Sequence, residues 1–304
     1  MPTIRLIRSV SAPSGRGPGN GQFALQRALR EQGPPWLRVG GTLHADEIPW
    51  FWCWTDRETA AMCARAGSPF IAGPNVLFDD SRHPCRTVAE REICQAASCR
   101  LLFTESAWYR DLIEEHRGPA NRAPIVLWPY PIDPRPEGPL PAEFDLLVYE
   151  KSGIDGRLID ELVRRWPRSV RVRYGRYRRE RLIDLARRSR CCLYGSDDDR
   201  GPLALAEILL CGCPSVGVPR GAPFVEPGRS GFLVDRFDAG FCNDAIGRCH
   251  RLDRAEVAAS AGRQFDTRRI VATIVAALEN VSGTLLSRPV AVCRPLDGAI
   301  PAHR

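Results

Sequence analysis

Apolar positions along the chain fall into short continuous runs separated by longer segments with helical spacing. The short runs predict buried strands, because a strand of this kind needs only a few consecutive apolar residues. Such strands are predicted at 48–54, 70–78, 100–103, 125–128, 144–149, 191–194 and 215–218, and two further strands, which contain polar positions, at 3–10 and 169–174. The segments between them predict helices at 22–31, 56–66, 87–97, from about 104, 157–166, 179–190, 203–212, 238–252 and 255–278. Regular alternation of strands and helices is typical of an open α/β fold.

A proline-rich segment divides this pattern into two halves. Residues 129–141 are rich in proline and contain few apolar positions, which is typical of a linker between domains. The strand–helix pattern then restarts at residue 144. We therefore predict two α/β domains, at 1–135 and 142–266, with a cleft between them. Residues 281–304 are left unassigned.

An acidic loop in the second half is the best candidate for a ligand site. The loop follows the apolar run at 191–194 and contains Asp197, Asp198 and Asp199. Gly201 and Pro202 then open an apolar helix, where proline is tolerated because the first turn needs no backbone donor. Ligands of open α/β sheets bind at the carboxyl ends of strands and face helix N-termini. The loop and the helix start after it thus predict such a site.

The same stretch resembles the donor site of family 4 retaining glycosyltransferases, which have the GT-B fold. Those enzymes have an acidic residue, seven intervening residues, a glutamate and then a Cys-Gly-x-Pro turn. Here Asp199 and Glu207 are followed by Cys-Gly-Cys-Pro at 211–214. The first acid is usually glutamate, so Asp199 shortens the reach by one methylene. Residues 219–234 are similar to a second family segment, with Arg220 in place of its first glycine.

The resemblance implies a GT-B architecture, with two Rossmann-like domains facing a central cleft. The last helix, at about 267–280, would cross back onto the first domain. The function implied is transfer of a sugar from a nucleotide-diphosphate sugar to an acceptor, with retention of configuration and without a metal or other cofactor. The acceptor, whether a glycan, a lipid-linked sugar or a small molecule, is not identified by the sequence.

The resemblance also implies roles for residues of the second domain. Glu207 would bind the ribose hydroxyls of the nucleotide, and Asp199 would contact the sugar. Lys151 follows the strand at 144–149, where its ammonium would bind the donor diphosphate. An arginine that accompanies this lysine in the family has no match here. The remaining donor-binding candidates are Gly201, Pro202, Leu203, Arg176 and Tyr174.

In the first domain, two segments are candidates for contacts with the transferred sugar or the acceptor. A glycine-rich loop follows the first strand, and its residues Gly19, Asn20 and Gly21 would approach the sugar closely. Asn75 stands where the family often has a histidine that contacts the sugar. Its amide can donate a hydrogen bond but cannot titrate.

Composition bears on the cellular compartment of the protein and on the role of its one lysine. The 12 cysteines form no CxxC pair and favour reduced, buried side chains, and no apolar stretch is long enough to span a bilayer. We therefore expect a cytoplasmic protein. Of the 43 basic residues only Lys151 is a lysine, which favours a site that needs a compact ammonium.

Three alternatives remain open at this stage. Twelve arginines crowd into residues 164–190, and they form either a solvated face or a surface for nucleic acid or for an anionic membrane at the inner face. A nucleic-acid-directed glycosyltransferase or binder is therefore one alternative. A non-catalytic glycosyltransferase-like subunit is the second, given the departure at Asp199. The third is a metal-dependent GT-A enzyme, because Asp197-Asp198-Asp199 contains the DxD pattern.

Overall fold

A computed structural model describes residues 2–7, 18–77 and 85–285 of the chain. The first half of the described chain forms a parallel sheet of six strands in the order β2-β1-β3-β4-β5-β6. These strands are β1 (Ile4–Leu6), β2 (Leu37–Val39), β3 (Ile48–Phe51), β4 (Phe70–Ala72), β5 (Cys99–Thr104) and β6 (Ile125–Leu127).

The second half forms a separate parallel sheet of five strands in the order β11-β10-β9-β7-β8. Its strands are β7 (Leu146–Glu150), β8 (Ser169–Arg173), β9 (Cys192–Gly195), β10 (Ser215–Gly217) and β11 (Gly231–Leu233). The predicted arrangement of two α/β units is therefore confirmed. In the described chain, no helix is both long and apolar enough to cross a membrane.

Helices cover both faces of each sheet. They are α1 (Pro18–Gln32), α2 (Arg57–Arg65), α3 (Val88–Gln95), α4 (Ala107–His116), α5 (Gly156–Arg165), α6 (Arg179–Arg187), α7 (Leu203–Leu210), α8 (Ala239–Cys249), α9 (Arg254–Gln264) and α10 (Thr267–Leu285). Each sheet contributes to two buried apolar clusters, one on each face. Burial on both faces explains why central strands such as β3, β7 and β9 appear in the sequence as continuous apolar runs.

The last helix packs on the first sheet although it follows the second in the chain. Ile270, Ile274 and Leu278 of α10 share a buried cluster with Leu25 of α1 and Leu101 of β5. The chain therefore passes from the second unit back to the first at the start of α10.

Two helix predictions differ from the structure. Gly19, Asn20 and Gly21 were expected in a loop before a helix at 22–31, but α1 begins at Pro18 and includes all three. Proline at the first helical position explains the early start, because its fixed φ suits a helix. The remainder of that loop, 8–17, lies outside the described residues.

The predicted helix at 255–278 is two helices. α9 ends at Gln264, where Phe265 enters the core of the second unit. The Asp266 side chain then accepts a hydrogen bond from the Arg269 backbone N–H at 2.9 Å and caps the start of α10. The three-residue strands β2 and β11 were missed, because so short a run carries no periodicity.

Candidate active site

The candidate site lies at the carboxyl ends of β7 and β9, which are neighbours in the second sheet. Glu150 at the end of β7 is paired with Gly195 at the end of β9. From β7 the chain passes to β8 on one side and then returns to β9 on the other. Ligands of open α/β sheets bind in the crevice at such a reversal of strand order.

Lys151 and Asp199 meet across this crevice. The Lys151 ammonium forms an ion pair with Oδ2 of Asp199. The same oxygen accepts a hydrogen bond from the Tyr194 hydroxyl at 3.0 Å, and the ammonium lies 5.3 Å from the centre of the Tyr174 ring. The Lys151 backbone N–H donates to the Gly195 carbonyl at 2.8 Å, which fixes the start of its loop to β9. The two strands therefore hold a cation and an anion side by side.

The other two aspartates of the acidic loop have structural contacts. Asp197 accepts a hydrogen bond from the Ser152 hydroxyl at 2.7 Å and one from the Asp198 backbone N–H at 3.1 Å. Within the described residues, no cluster of three or more His, Cys, Asp and Glu side chains is arranged to hold a metal ion. The contacts of Asp197 hold the loop against the segment that follows Lys151.

The predicted helix start lies beside this ion pair. Gly201 is in the loop, Pro202 is the N-cap residue, and α7 begins at Leu203. Gly212 ends the helix with a φ of 72°, a left-handed conformation that favours glycine. The first turn of α7 has backbone N–H groups without intrahelical partners, so it can bind an anion.

Glu207 lies in the second turn of α7 and forms an ion pair with Arg179 of α6. Burial raises the pKa of the Glu207 carboxyl, and the Arg179 guanidinium opposes this rise. Arg179 also donates to the Pro134 carbonyl at 2.8 Å. The arginine thus joins the candidate ribose-binding carboxylate to the segment between the two units.

Asn75 belongs to a buried polar cluster centred on Tyr130. Its amide nitrogen donates to the Tyr130 hydroxyl at 2.7 Å, and the Trp52 indole N–H donates to the same oxygen at 3.1 Å. Gly21 packs on Tyr130, since a Cβ at Gly21 would lie 2.7 Å from its Cβ and 3.2 Å from Leu203. This cluster therefore brings α1 of the first unit against the start of α7 in the second.

Other contacts join the two units around the acidic loop. The Trp108 indole N–H donates to the Asp199 carbonyl at 3.3 Å, and the Arg220 guanidinium lies 4.6 Å from the centre of the Trp108 ring. Arg200 donates to the Leu77 carbonyl at 2.8 Å. The Glu105 side chain packs on Gly201. The first unit thus contacts the backbone of the acidic loop directly.

The predicted residues are not all brought together. Lys151, Asp199 and Tyr174 are in contact, and the start of α7 lies beside them. Arg176 is exposed and its guanidinium makes no described contact with the cluster. Sequence reasoning did not select Glu105, Trp108, Arg179, Tyr194 or Arg200, whose partners are distant in the sequence. Only Tyr194 and Arg200 lay within the stretch that the motif marked.

A surface cavity of about 360 Å³ lies away from this site, between α1 and the start of α10. Three arginines and three acids line it, and Arg27 forms an ion pair with Asp133 and Arg135 with Asp266. This balance of charge gives the cavity no preference for an anion.

Solved structures with the same architecture include three sugar-related proteins. HepE of Anabaena, solved with UDP and glucose, is 14% identical, with 95% of this chain and 100% of HepE covered and a TM-score of 0.60. Sucrose-phosphate synthase of Thermosynechococcus elongatus is 15% identical, with 94% and 100% covered and a TM-score of 0.60. The lipopolysaccharide outer core galactosyltransferase WaaB is 12% identical, with 93% and 99% covered and a TM-score of 0.59.

No protein-family model matches the sequence, and no curated protein matches it either. The structural similarities extend over nearly the whole chain and confirm the predicted GT-B fold. The two parallel sheets also exclude the GT-A alternative, which has a different architecture.

Proposed function

We propose that this protein is a glycosyltransferase that transfers a sugar from a nucleotide-diphosphate sugar to an acceptor. The observation that carries the proposal is the ion pair of Lys151 and Asp199 at the strand-order reversal. Asp199 precedes the first turn of α7, whose backbone N–H groups have no intrahelical partners. The GT-B fold supports it, because HepE has been solved with UDP-glucose and with UDP. A uridine nucleotide is therefore the first donor to test.

In this proposal, the diphosphate binds between Lys151 and the N-terminus of α7. As the bond from the sugar to the diphosphate breaks, negative charge builds up on the departing phosphate. The Lys151 ammonium and the backbone N–H groups around Gly201 and Leu203 stabilise that charge. The site performs this task with side-chain and backbone donors, so the proposal requires no metal. We propose that no other cofactor takes part.

Glu207 and Asp199 would position the remaining parts of the donor. The Glu207 carboxylate accepts hydrogen bonds from the two ribose hydroxyls, for which it must exchange part of its contact with Arg179. Asp199 accepts hydrogen bonds from hydroxyls of the sugar and keeps the hydrogen bond that it accepts from the Tyr194 hydroxyl. Asn75 donates a hydrogen bond to Tyr130 in the first domain, and we propose that it contacts the transferred sugar.

Retention of configuration and membership of family 4 remain part of the proposal. The family resemblance implies departure and attack on the same face of the sugar, since the sequence offers no obvious nucleophilic carboxylate. The acceptor would enter between the two domains, near α1 and Tyr130. A glycan, a lipid-linked sugar and a small molecule are the candidate classes.

The arginine-rich segment gives little support to a nucleic-acid-directed function. Six of its twelve arginines form ion pairs with carboxylates, which reduces the positive field that phosphates would meet. These are Arg168, Arg171, Arg173, Arg179, Arg187 and Arg188. Contact with an anionic membrane surface stays a secondary proposal on the same residues, compatible with a cytoplasmic location.

A thermal-shift panel tests the donor site. UDP, GDP and ADP, each alone and as a nucleotide sugar, are added to the purified protein, because a ligand of the native state raises the melting temperature. We expect one base to give a clear rise. Glu207→Ala should abolish that rise and the turnover of the nucleotide sugar. Glu115→Ala, which removes an exposed carboxylate of α4, serves as the matched control.

Two results would count against the proposal. If no nucleotide or nucleotide sugar changes the melting temperature of the wild-type protein, the donor site is wrong. Normal nucleotide-sugar turnover in Glu207→Ala would contradict the role of that residue. Binding without any hydrolysis or transfer would instead favour the non-catalytic subunit.

A further inference from the structure

Glu105 is a first-domain residue whose side chain lies against the candidate donor site. It follows β5 and precedes α4. A Cβ on Gly201 would lie 3.0 Å from Cγ of Glu105, 3.1 Å from its Cβ and 3.2 Å from its Cδ. Glycine at position 201 therefore leaves the room that this carboxyl group occupies. The contact joins the first domain to the loop immediately before α7.

The Glu105 carboxyl is buried, and one of its two oxygens has no hydrogen-bond partner. The residue is 6% exposed, and its Oε2 has no hydrogen-bond partner. Other buried glutamates have clear structural roles: Glu47 pairs with Arg5, and Glu90 accepts a hydrogen bond from the Thr87 backbone in a capping box. A buried polar atom without a partner costs free energy. No comparable structural contact accounts for the buried Oε2 atom of Glu105.

The electrostatic surroundings favour the neutral form of this group. Burial raises the pKa of the Glu105 carboxyl to about 7. Arg200 and a hydrogen bond from the backbone of Glu105 itself lower this pKa, and Asp199 raises it. The hydroxyl of buried Tyr130 is close enough that Glu105 raises its pKa. These are the charged and titratable groups that face the carboxyl from the acidic loop and from the end of β6.

We propose that Glu105 is a ligand of the sugar donor that binds in its neutral form, so that donor binding takes up a proton. This inference rests on the proposed function. A diphosphate at the start of α7 would bring negative charge next to Gly201, and a nearby carboxylate would repel it. Protonation removes the repulsion and turns the unpartnered oxygen into a hydrogen-bond donor.

The proton comes from solvent and is held on a carboxyl oxygen of Glu105. No covalent bond of the donor changes in this step. Glu105 then donates a hydrogen bond to an oxygen of the diphosphate–sugar portion of the donor. The first domain would thereby supply one contact to the donor.

Isothermal titration calorimetry tests this proposal with the full-length protein and UDP-glucose, or with GDP-mannose or ADP-glucose if the thermal-shift panel selects that base. A nucleotide sugar is used because its diphosphate is a diester and does not titrate near neutrality. Titrations at pH 8 in Hepes and in Tris give the number of protons taken up. For the wild-type protein we expect uptake close to one proton, with affinity falling roughly tenfold per pH unit above pH 8.

Glu105→Gln keeps the shape of the side chain and an N–H donor but cannot titrate. We expect this variant to bind at pH 8 at least as tightly as the wild-type protein, with no proton uptake and no loss of affinity at pH 9. Glu105→Ala should bind more weakly than Glu105→Gln at both pH values, because the hydrogen-bond donor of the side chain is removed. Glu115→Gln on the exposed side of α4 should behave as the wild-type protein.

The outcomes separate this inference from the proposed function. If the wild-type protein binds no nucleotide sugar, the proposed function fails. If it binds one without taking up a proton, or if Glu105→Gln takes up the same number of protons, only the role of Glu105 is overturned. Loss of the uptake in Glu105→Gln together with retained affinity supports it.

Discussion

The Lys151 ammonium contacts the Asp199 carboxylate across the carboxyl ends of β7 and β9. The two residues are 48 positions apart in the chain, and they meet because their strands are neighbours in the sheet. Tyr194 donates to the same carboxylate oxygen at 3.0 Å, so Asp199 keeps a partner if the lysine moves. The ammonium can therefore turn towards an incoming phosphate without leaving a buried charge unpaired.

Replacing Lys151 tests this arrangement. Lys151→Met should weaken nucleotide-sugar binding by about 2 kcal/mol, roughly 30-fold, because a charge-assisted contact with phosphate is lost. Lys151→Arg should restore only part of the affinity, since a planar guanidinium does not replace a compact ammonium. Calorimetry measures both. Arg157→Met, an exposed residue of the following helix, is the matched control, and equal losses in the two methionine variants would contradict the assignment.

The α/β pattern, and the positions of Lys151 and Asp199 after strand ends, could be predicted from the sequence because these signals are local. Apolar runs mark the strands, and Lys151 and Asp199 each follow one of them. The carboxyl ends of parallel strands lie at one edge of a sheet, so residues that follow the strands are brought to the same crevice. The end of the helix at Gly212 could likewise be predicted from the sequence.

The contacts of Glu207 and Glu105 could not be predicted in the same way. Arg179 meets Glu207 only because α6 and α7 pack together, and Glu105 meets Gly201 only because two domains approach each other. Neither contact leaves a spacing or periodicity in the sequence. A resemblance to family motifs located Glu207 but carried no information on its arginine partner.

The Arg179–Glu207 pair should contribute to stability as well as to donor binding. Arg179→Met leaves a largely buried carboxylate without its cation, and we expect the free energy of unfolding at pH 8 to fall by about 2 kcal/mol. Burial raises the pKa of Glu207 and Arg179 opposes this, so the variant raises that pKa further. A raised folded-state pKa gives stability that is present at low pH and lost as the pH rises.

The loss in Arg179→Met should therefore be smaller at pH 5 than at pH 8, as measured by urea unfolding at both values. The double variant Arg179→Met/Glu207→Gln should recover most of the stability at pH 8, because no charge is left to bury. Arg188→Met removes an arginine whose acidic partners are exposed, and it should change stability by less than about 1 kcal/mol. A loss independent of pH would argue against an ionised Glu207.

Gly153 should be required for the conformation of the Lys151 loop, which is the segment 151–155 between β7 and α5. Its φ is 69°, and an added Cβ would lie 2.4 Å from the Asp197 side chain. Gly153→Ala therefore meets both backbone strain and a collision, and we expect a loss of about 2 kcal/mol or more in unfolding free energy. Gly175 has a φ of 74° with open space around it, so Gly175→Ala should cost only about 1 kcal/mol.

Donor affinity tests Gly153→Ala further, with Gly156→Ala as a second control. Gly153→Ala should weaken nucleotide-sugar binding, because the Asp197 contacts that hold the Lys151 loop are displaced. Gly156→Ala, at the first position of α5 with open space around it, should leave both stability and affinity unchanged. If Gly153→Ala were as stable as Gly156→Ala, the loop would not have the conformation described.

Glu105 should make the stability of the free protein depend on pH. Its pKa rises from 4.5 to about 7 on folding, so folding takes up a proton between these values. The stabilising effect of the protonated form is complete below pH 4.5 and is lost as the pH rises through 7.

Glu105→Gln cannot titrate, so its stability does not fall in this way as the pH rises. The unfolding free energy of the variant minus that of the wild-type protein should therefore grow by about 2.5 kcal/mol between pH 5 and pH 8. Urea unfolding of the ligand-free proteins measures this difference, and Glu115→Gln should show no comparable change. A difference that stayed constant across this range would mean that Glu105 keeps an ordinary pKa in the folded protein.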